Sequence, residues 1–147
     1  MSRKNDRKHA LCLVFTLDFN VENELDYYAE KFAKDAVETG ISELGYVQTI
    51  VDGVKANMNK IDNLIDEAAE GWEFKRLSKI DKAIMRVCVY EIIYMDSVSA
   101  AIAINEAVEL AKEYSTDEAP KFINGIVSRI NRNLSDLEQM EQGDNAN

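Results

Sequence analysis

Two stretches of this chain carry residues whose types and spacing suit contact with a nucleic acid. The first is the basic start, Arg3, Lys4, Arg7 and Lys8, followed by Phe15. On a helix, Lys4, Lys8, Cys12 and Phe15 fall along one face at spacing i, i+4, i+8, i+11. Cations beside an aromatic ring can hold a single strand, with phosphates on the cations and a base on the ring. The plainer reading makes Phe15 part of the apolar core and the basic end a solvated terminus. The second stretch is Lys121, Phe122, Gly125, Arg129 and Arg132. Phe122 lies at the edge of an apolar stripe, and Arg129, seven residues on, shares its face. Gly125 lets another chain approach closely. Here the plainer reading is a core-edge phenylalanine beside a solvated basic face. Both pairs of readings stay open on the residues alone.

The charge balance narrows the partner class. The net charge of −10 argues against general nucleic-acid binding. The first eight residues hold four cations against Asp6, a local +3 that leaves −13 on the remainder. A basic patch on an acidic protein can select one polyanion while the rest of the surface repels non-specific contact.

Catalysis and cofactors find little support. His9 is the sole histidine, and no CxxC or HxxxH spacing occurs, so no metal site is expected. No nucleophile–base pair and no Gly-rich cofactor-binding βα unit is apparent, so neither an enzyme nor a bound cofactor is expected. Cys12 and Cys88 lie within helical patterns and read as buried thiols in a reducing cytoplasm. No secretory leader is recognisable behind Met1.

The elements that must position these residues are helices. Within the stretch Ser78 to Met95, the run from Ile80 is apolar nearly all round, interrupted only by Asp81, Lys82, Arg86 and Glu91. Such a helix must be covered on most sides. It is too short and too charged to span a bilayer. It therefore reads as a central helix with the others laid around it. Ser78 caps its start, and Asp81 completes a capping-box variant. A first helix is expected over 3–19, with Ala10, Leu13, Val14 and Leu17 inward, and a second over 25–38. A third runs from a Ser42 cap to about Asn57, and Gly53 inside it points to close helix contact. A fourth covers about 60–69, before a turn at Glu70-Gly71 and an anchoring Trp72. Ser99 caps a helix over 100–114, whose Asn105 and Glu106 read as structural hydrogen-bonding residues. Pro120 sits in the first turn of the last long helix. The class is all-α: one compact domain, 1–134, of about seven helices in two small bundles around a central buried helix. Residues 135–147 form a polar, acidic tail expected to be disordered.

The order of motifs closely resembles the NusB family of bacterial transcription antitermination factors. It rests on Asp81-Lys82-Ala83-Ile84 with Arg86, Tyr90-Glu91, the run from Ala103 to Lys112, and Lys121-Phe122-Ile123-Asn124-Gly125. The resemblance implies an RNA-binding adaptor that recognises boxA-type single-stranded RNA together with NusE, a ribosomal protein. The complex keeps RNA polymerase processive, notably in ribosomal RNA operons. Some relatives also form a homodimer that hides the RNA surface. The family's basic helix falls on Arg3, Lys4, Arg7 and Lys8, and its tyrosine there on Phe15. Its lysine–phenylalanine pair falls on Lys121 and Phe122, with Asn124 close by. Its acidic position facing the ribosomal protein falls on Asp81. Cys12 stands where glutamine is common, and Ser115 replaces the usual glycine. The competing function is a protein-only scaffold whose acidic helices dock a basic ribosomal protein.

Overall fold

A computed structural model describes residues 3–17, 44–71 and 76–145. They form six helices: α1 (Arg3–Thr16), α2 (Leu44–Ala56), α3 (Met58–Ala68), α4 (Lys79–Tyr94), α5 (Ala100–Tyr114) and α6 (Ala119–Asn145). No strand occurs among the described residues. The helix expected over 25–38, the Ser42 cap and Trp72 lie outside them.

The centre is α4, as its composition requires. Every residue from Ile80 to Glu91 except Lys82 is buried. The Ser78 hydroxyl accepts the Asp81 amide at 3.1 Å, so the cap is formed as expected. The Asp81 carboxylate, however, accepts the Ser115 hydroxyl at 2.7 Å and ties the α5–α6 connection to the start of α4. Around α4, helices α1 and α2 pack on one another and on the centre. On its other sides α5 and α6 pack together, and α3 joins α6 to α4. One continuous apolar core results, with Leu11, Phe15, Ile50, Ile65, Ile84 and Ile123 fully enclosed.

Local signals place the ends of these elements. Ser99 caps α5 by accepting the Ile102 amide at 3.2 Å. Pro120 lies in the first turn of α6, where its missing N–H leaves no helical bond unmade. Gly71, at φ +80°, takes the left-handed conformation after α3 that a side chain would resist. Gly53 of α2 answers a packing need. A Cβ there would run into the ring of Tyr90 on α4, so the two helices approach across a bare backbone.

Two expectations are corrected. The inward stripe of α1 is Ala10, Leu11, Val14 and Phe15, while Leu13 is 45% exposed. The helix is therefore rotated by about one residue from the expected phase. Residues 136–145 are helical, because α6 continues to Asn145. Its exposed residues 135–140 need no core contact to stay helical. Leucine, glutamate, glutamine and methionine are good helix formers, and they extend a helix already nucleated by its packed half.

The Gly53 contact is testable. Alanine ordinarily favours a helix by about 1 kcal/mol over glycine. At this site overpacking costs about 1–3 kcal/mol and outweighs that gain. Gly53→Ala is expected to lower the urea midpoint, and adding Tyr90→Leu is expected to restore part of it.

Candidate nucleic-acid interface

The basic start of α1 divides between surface and core. Lys4 is exposed and Lys8 half-buried. Arg7 is only 3% exposed. It stands at i, i+3, i+4, i+7 with Ala10, Leu11 and Val14, so the helix turns it inward with the apolar stripe. There its guanidinium donates twice to the Glu91 carboxylate of α4, both at 2.7 Å. Glu106 of α5 lies 3.8 Å from the same group. Burial alone would weaken the charge of Arg7, but the hydrogen bonds and charge of Glu91 more than reverse this and raise its pKa. Arg7 is a strut between three helices, and the expectation that it meets phosphate is overturned. Phe15, at 1% exposure, likewise offers no face for a base and belongs to the core.

What remains lies in three clefts between helices. The first, about 320 Å³, runs between α1 and α5. Lys4 and Lys8 face Glu106, Glu109, Lys112 and Glu113 across it. Lys8 pairs with Glu113 at 3.1 Å. The second is a groove of about 570 Å³ between α5 and α6. Ala101, Ile104, Val108 and Pro120 give it apolar lining, while Asn105, Lys121 and Asn124 supply polar groups. An ammonium can meet a phosphate here, and carboxamides can hydrogen-bond base edges. The third, about 190 Å³, lies between α6 and the end of α3. Phe122 and Gly125 line it with Arg129, whose guanidinium donates to the Ala68 carbonyl at 3.0 Å and pairs with Glu70 at 2.9 Å.

The expected pairing of Lys121 with Phe122 thus splits between two clefts on adjacent sides of α6. Arg129 does share the Phe122 cleft, as the seven-residue spacing implied. Gly125 meets no other atom where a side chain would stand, which leaves open space beside Phe122. Asn105, expected as a structural hydrogen-bonding residue, is instead exposed in the groove of Lys121 and Asn124. Its i+4 relation to Ala101 and i+3 relation to Val108 would have placed it there. Asp81, the expected partner contact, is 5% exposed and engaged by Ser115, so it is corrected to an internal tie. The Arg3 side chain lies outside the described residues.

The cysteines offer no reactive thiolate. Burial pushes the Cys12 thiol up to about 11. The Cys88 thiol is pushed further, by burial first and the charge of Glu91 next, with Arg7 offsetting part. Among the described residues no group of three or more His, Cys, Asp or Glu could hold a metal ion. Among them too, no helix is long and apolar enough to cross a membrane.

Comparison with known proteins gives the relatives of the whole chain. Residues 4–132 match the NusB family. The transcription antitermination protein NusB of Salinispora tropica is 39% identical over 132 residues, covering 88% of this chain and 94% of that protein. The solved NusB of T. maritima is 27% identical, with a TM-score of 0.67 over 89% of this chain and 92% of that one. A solved complex of antitermination factors NusB and NusE with double-stranded RNA contains a chain that is 25% identical to this one. It matches with a TM-score of 0.68 over 88% of this chain and 96% of that one.

The buried pair generates a clear expectation. Removing one partner strands the other charge in the core, at a cost of about 3–5 kcal/mol. Arg7→Ala and Glu91→Ala are each expected to lower unfolding free energy by about that amount in denaturant titrations. The double replacement Arg7→Met with Glu91→Leu is expected to recover most of it.

Proposed function

Since this chain belongs to the NusB family, we propose that it is a non-enzymatic transcription antitermination factor that binds RNA together with the ribosomal protein NusE. The RNA is a boxA-type single strand. The assembly joins the antitermination complex of RNA polymerase in the cytoplasm and keeps the polymerase processive, notably in ribosomal RNA operons. The observation that carries the RNA- and NusE-binding part of this reading is the likeness, over 88% of the chain, to a chain of a complex of NusB and NusE with double-stranded RNA.

The clefts give the reading its chemistry. Lys4, Lys8 and Lys121 offer phosphate contacts, and the partly buried Phe122 offers ring surface on which a base can stack beside Gly125. Asn105 and Asn124 are suited to reading a base in the α5–α6 groove. Arg129 steadies the Phe122 cleft through Glu70 and the Ala68 carbonyl. The acidic remainder suits a basic ribosomal protein, whereas a homodimer would hide the RNA surface.

A second reading, a protein-only scaffold for that ribosomal protein, draws on one observation. Arg7 is withdrawn into the core and Lys8 is already paired, which depletes the basic arm.

A salt-titrated binding assay separates the two. The probes are boxA-type and scrambled single strands and a duplex of the boxA sequence, each with and without NusE. With Lys8 held by Glu113, full phosphate contacts from Lys4 and Lys121 give a slope of log affinity against log salt of about −1.4, at roughly −0.7 per contact. Lys4→Ala with Lys121→Ala is expected to weaken all strands and flatten that slope. Phe122→Ala is expected to weaken binding by about 1–3 kcal/mol with the slope unchanged. Binding of NusE without RNA binding under any condition would establish the scaffold instead.

A further inference from the structure

The cleft between α1 and α5 holds as many carboxylates as cations. Lys4, Lys8 and Lys112 are set against Glu106, Glu109 and Glu113. Two of the carboxylates are engaged with lysines, Glu113 with Lys8 at 3.1 Å and Glu109 with Lys112 at 3.2 Å. Glu106 lies against the buried Arg7. A phosphate approaching Lys8 therefore meets an ammonium that is already neutralised by a carboxylate from the facing helix. It must displace that carboxylate, which then remains in the cleft and repels it.

From this geometry we infer that Glu113 is an internal competitor for RNA, restraining affinity by holding Lys8 until a phosphate displaces it. The inference rests on the RNA-binding reading above and deepens it, because it assigns a role to a residue outside the binding set. The restraint is local. It acts through one ion pair, while the net charge of the chain acts on every approaching polyanion alike. Its use follows from the acidity of the protein: contact through the basic arm alone stays weak, so firm binding demands the other clefts or a partner as well.

The physical chemistry sets the size and signature of the effect. Lys8 and Glu113 have side-chain exposures of 24% and 40%, so their pair is partly screened by solvent. Releasing Lys8 in advance is worth about a two- to five-fold gain in RNA affinity at low salt. It also steepens the salt slope by up to about 0.7, because a lysine freed of its internal carboxylate adds a full phosphate contact.

The test uses the full chain and a boxA-type and a scrambled single-stranded RNA, each titrated against salt. Glu113→Gln is compared with Glu67→Gln, which changes net charge equally at an exposed site on α3. Both are repeated in a Lys8→Gln background, and urea midpoints verify that all variants fold. The inference expects Glu113→Gln to bind both RNAs more tightly than Glu67→Gln and with a steeper slope. It expects that advantage to vanish without Lys8. Equal affinities for the two glutamine variants, or a gain that persists without Lys8, would overturn it and leave the RNA-binding reading in place. Failure of wild type and every variant to bind RNA would overturn both.

Discussion

The fold depends on enclosing α4 around nearly its whole circumference. That helix carries Asp81, Arg86 and Glu91, and enclosure takes all three out of water. A buried charge without a partner is among the most expensive features a small core can contain. Each of the three is therefore met by a group from a different place in the chain. Ser115, at the α5–α6 connection, donates to Asp81. Asp62 of α3 accepts two hydrogen bonds from Arg86, at 2.7 and 2.8 Å. Arg7 of α1 donates twice to Glu91. The apolar surface drives the helices onto α4, and these polar ties restrict how each one can sit.

That restriction shapes the surface that meets other molecules. Holding Arg7 against Glu91 fixes the rotation of α1, which turns Lys4 outward and sets Lys8 beside Glu113. The tie of Ser115 to Asp81 holds the connection between α5 and α6, the two walls of the groove with Asn105, Lys121 and Asn124. Arg129 bridges α6 to the end of α3 and frames the cleft of Phe122. The binding groups thus stand on helices whose mutual positions are set by the same interior ties. Sites on such elements hold their geometry better than sites on loops.

Much of this was legible before any tertiary contact was known. The all-round apolar run announced a buried central helix. Ser78 and Ser99 announced helix starts, and each accepts the amide three residues on. Gly53 announced a close helix contact, which Tyr90 supplies. The seven-residue spacing placed Arg129 with Phe122. The burial of Arg7 and Phe15 has one cause. Between Ala10 and Leu17 only Thr16 breaks the apolar run, so the period of α1 was visible but its phase was not. A rotation of about one residue, roughly 100° on an α-helix, separates a phosphate-binding Arg7 and base-stacking Phe15 from the buried ones observed. The burial of Asp81 is not legible locally because its partner Ser115 is 34 residues away in sequence.

By itself the sequence determined the helical class, the helix starts, the central helix and, through its ordered motifs, the family. These are local properties: capping hydrogen bonds, propensity and periodicity act within a few residues of chain. Only the tertiary structure decided which charges are structural and which are available to a ligand. Burial belongs to two surfaces at once, so whether Arg7 meets phosphate or Glu91, and whether Lys8 stands open or paired, is settled by the helix that packs opposite.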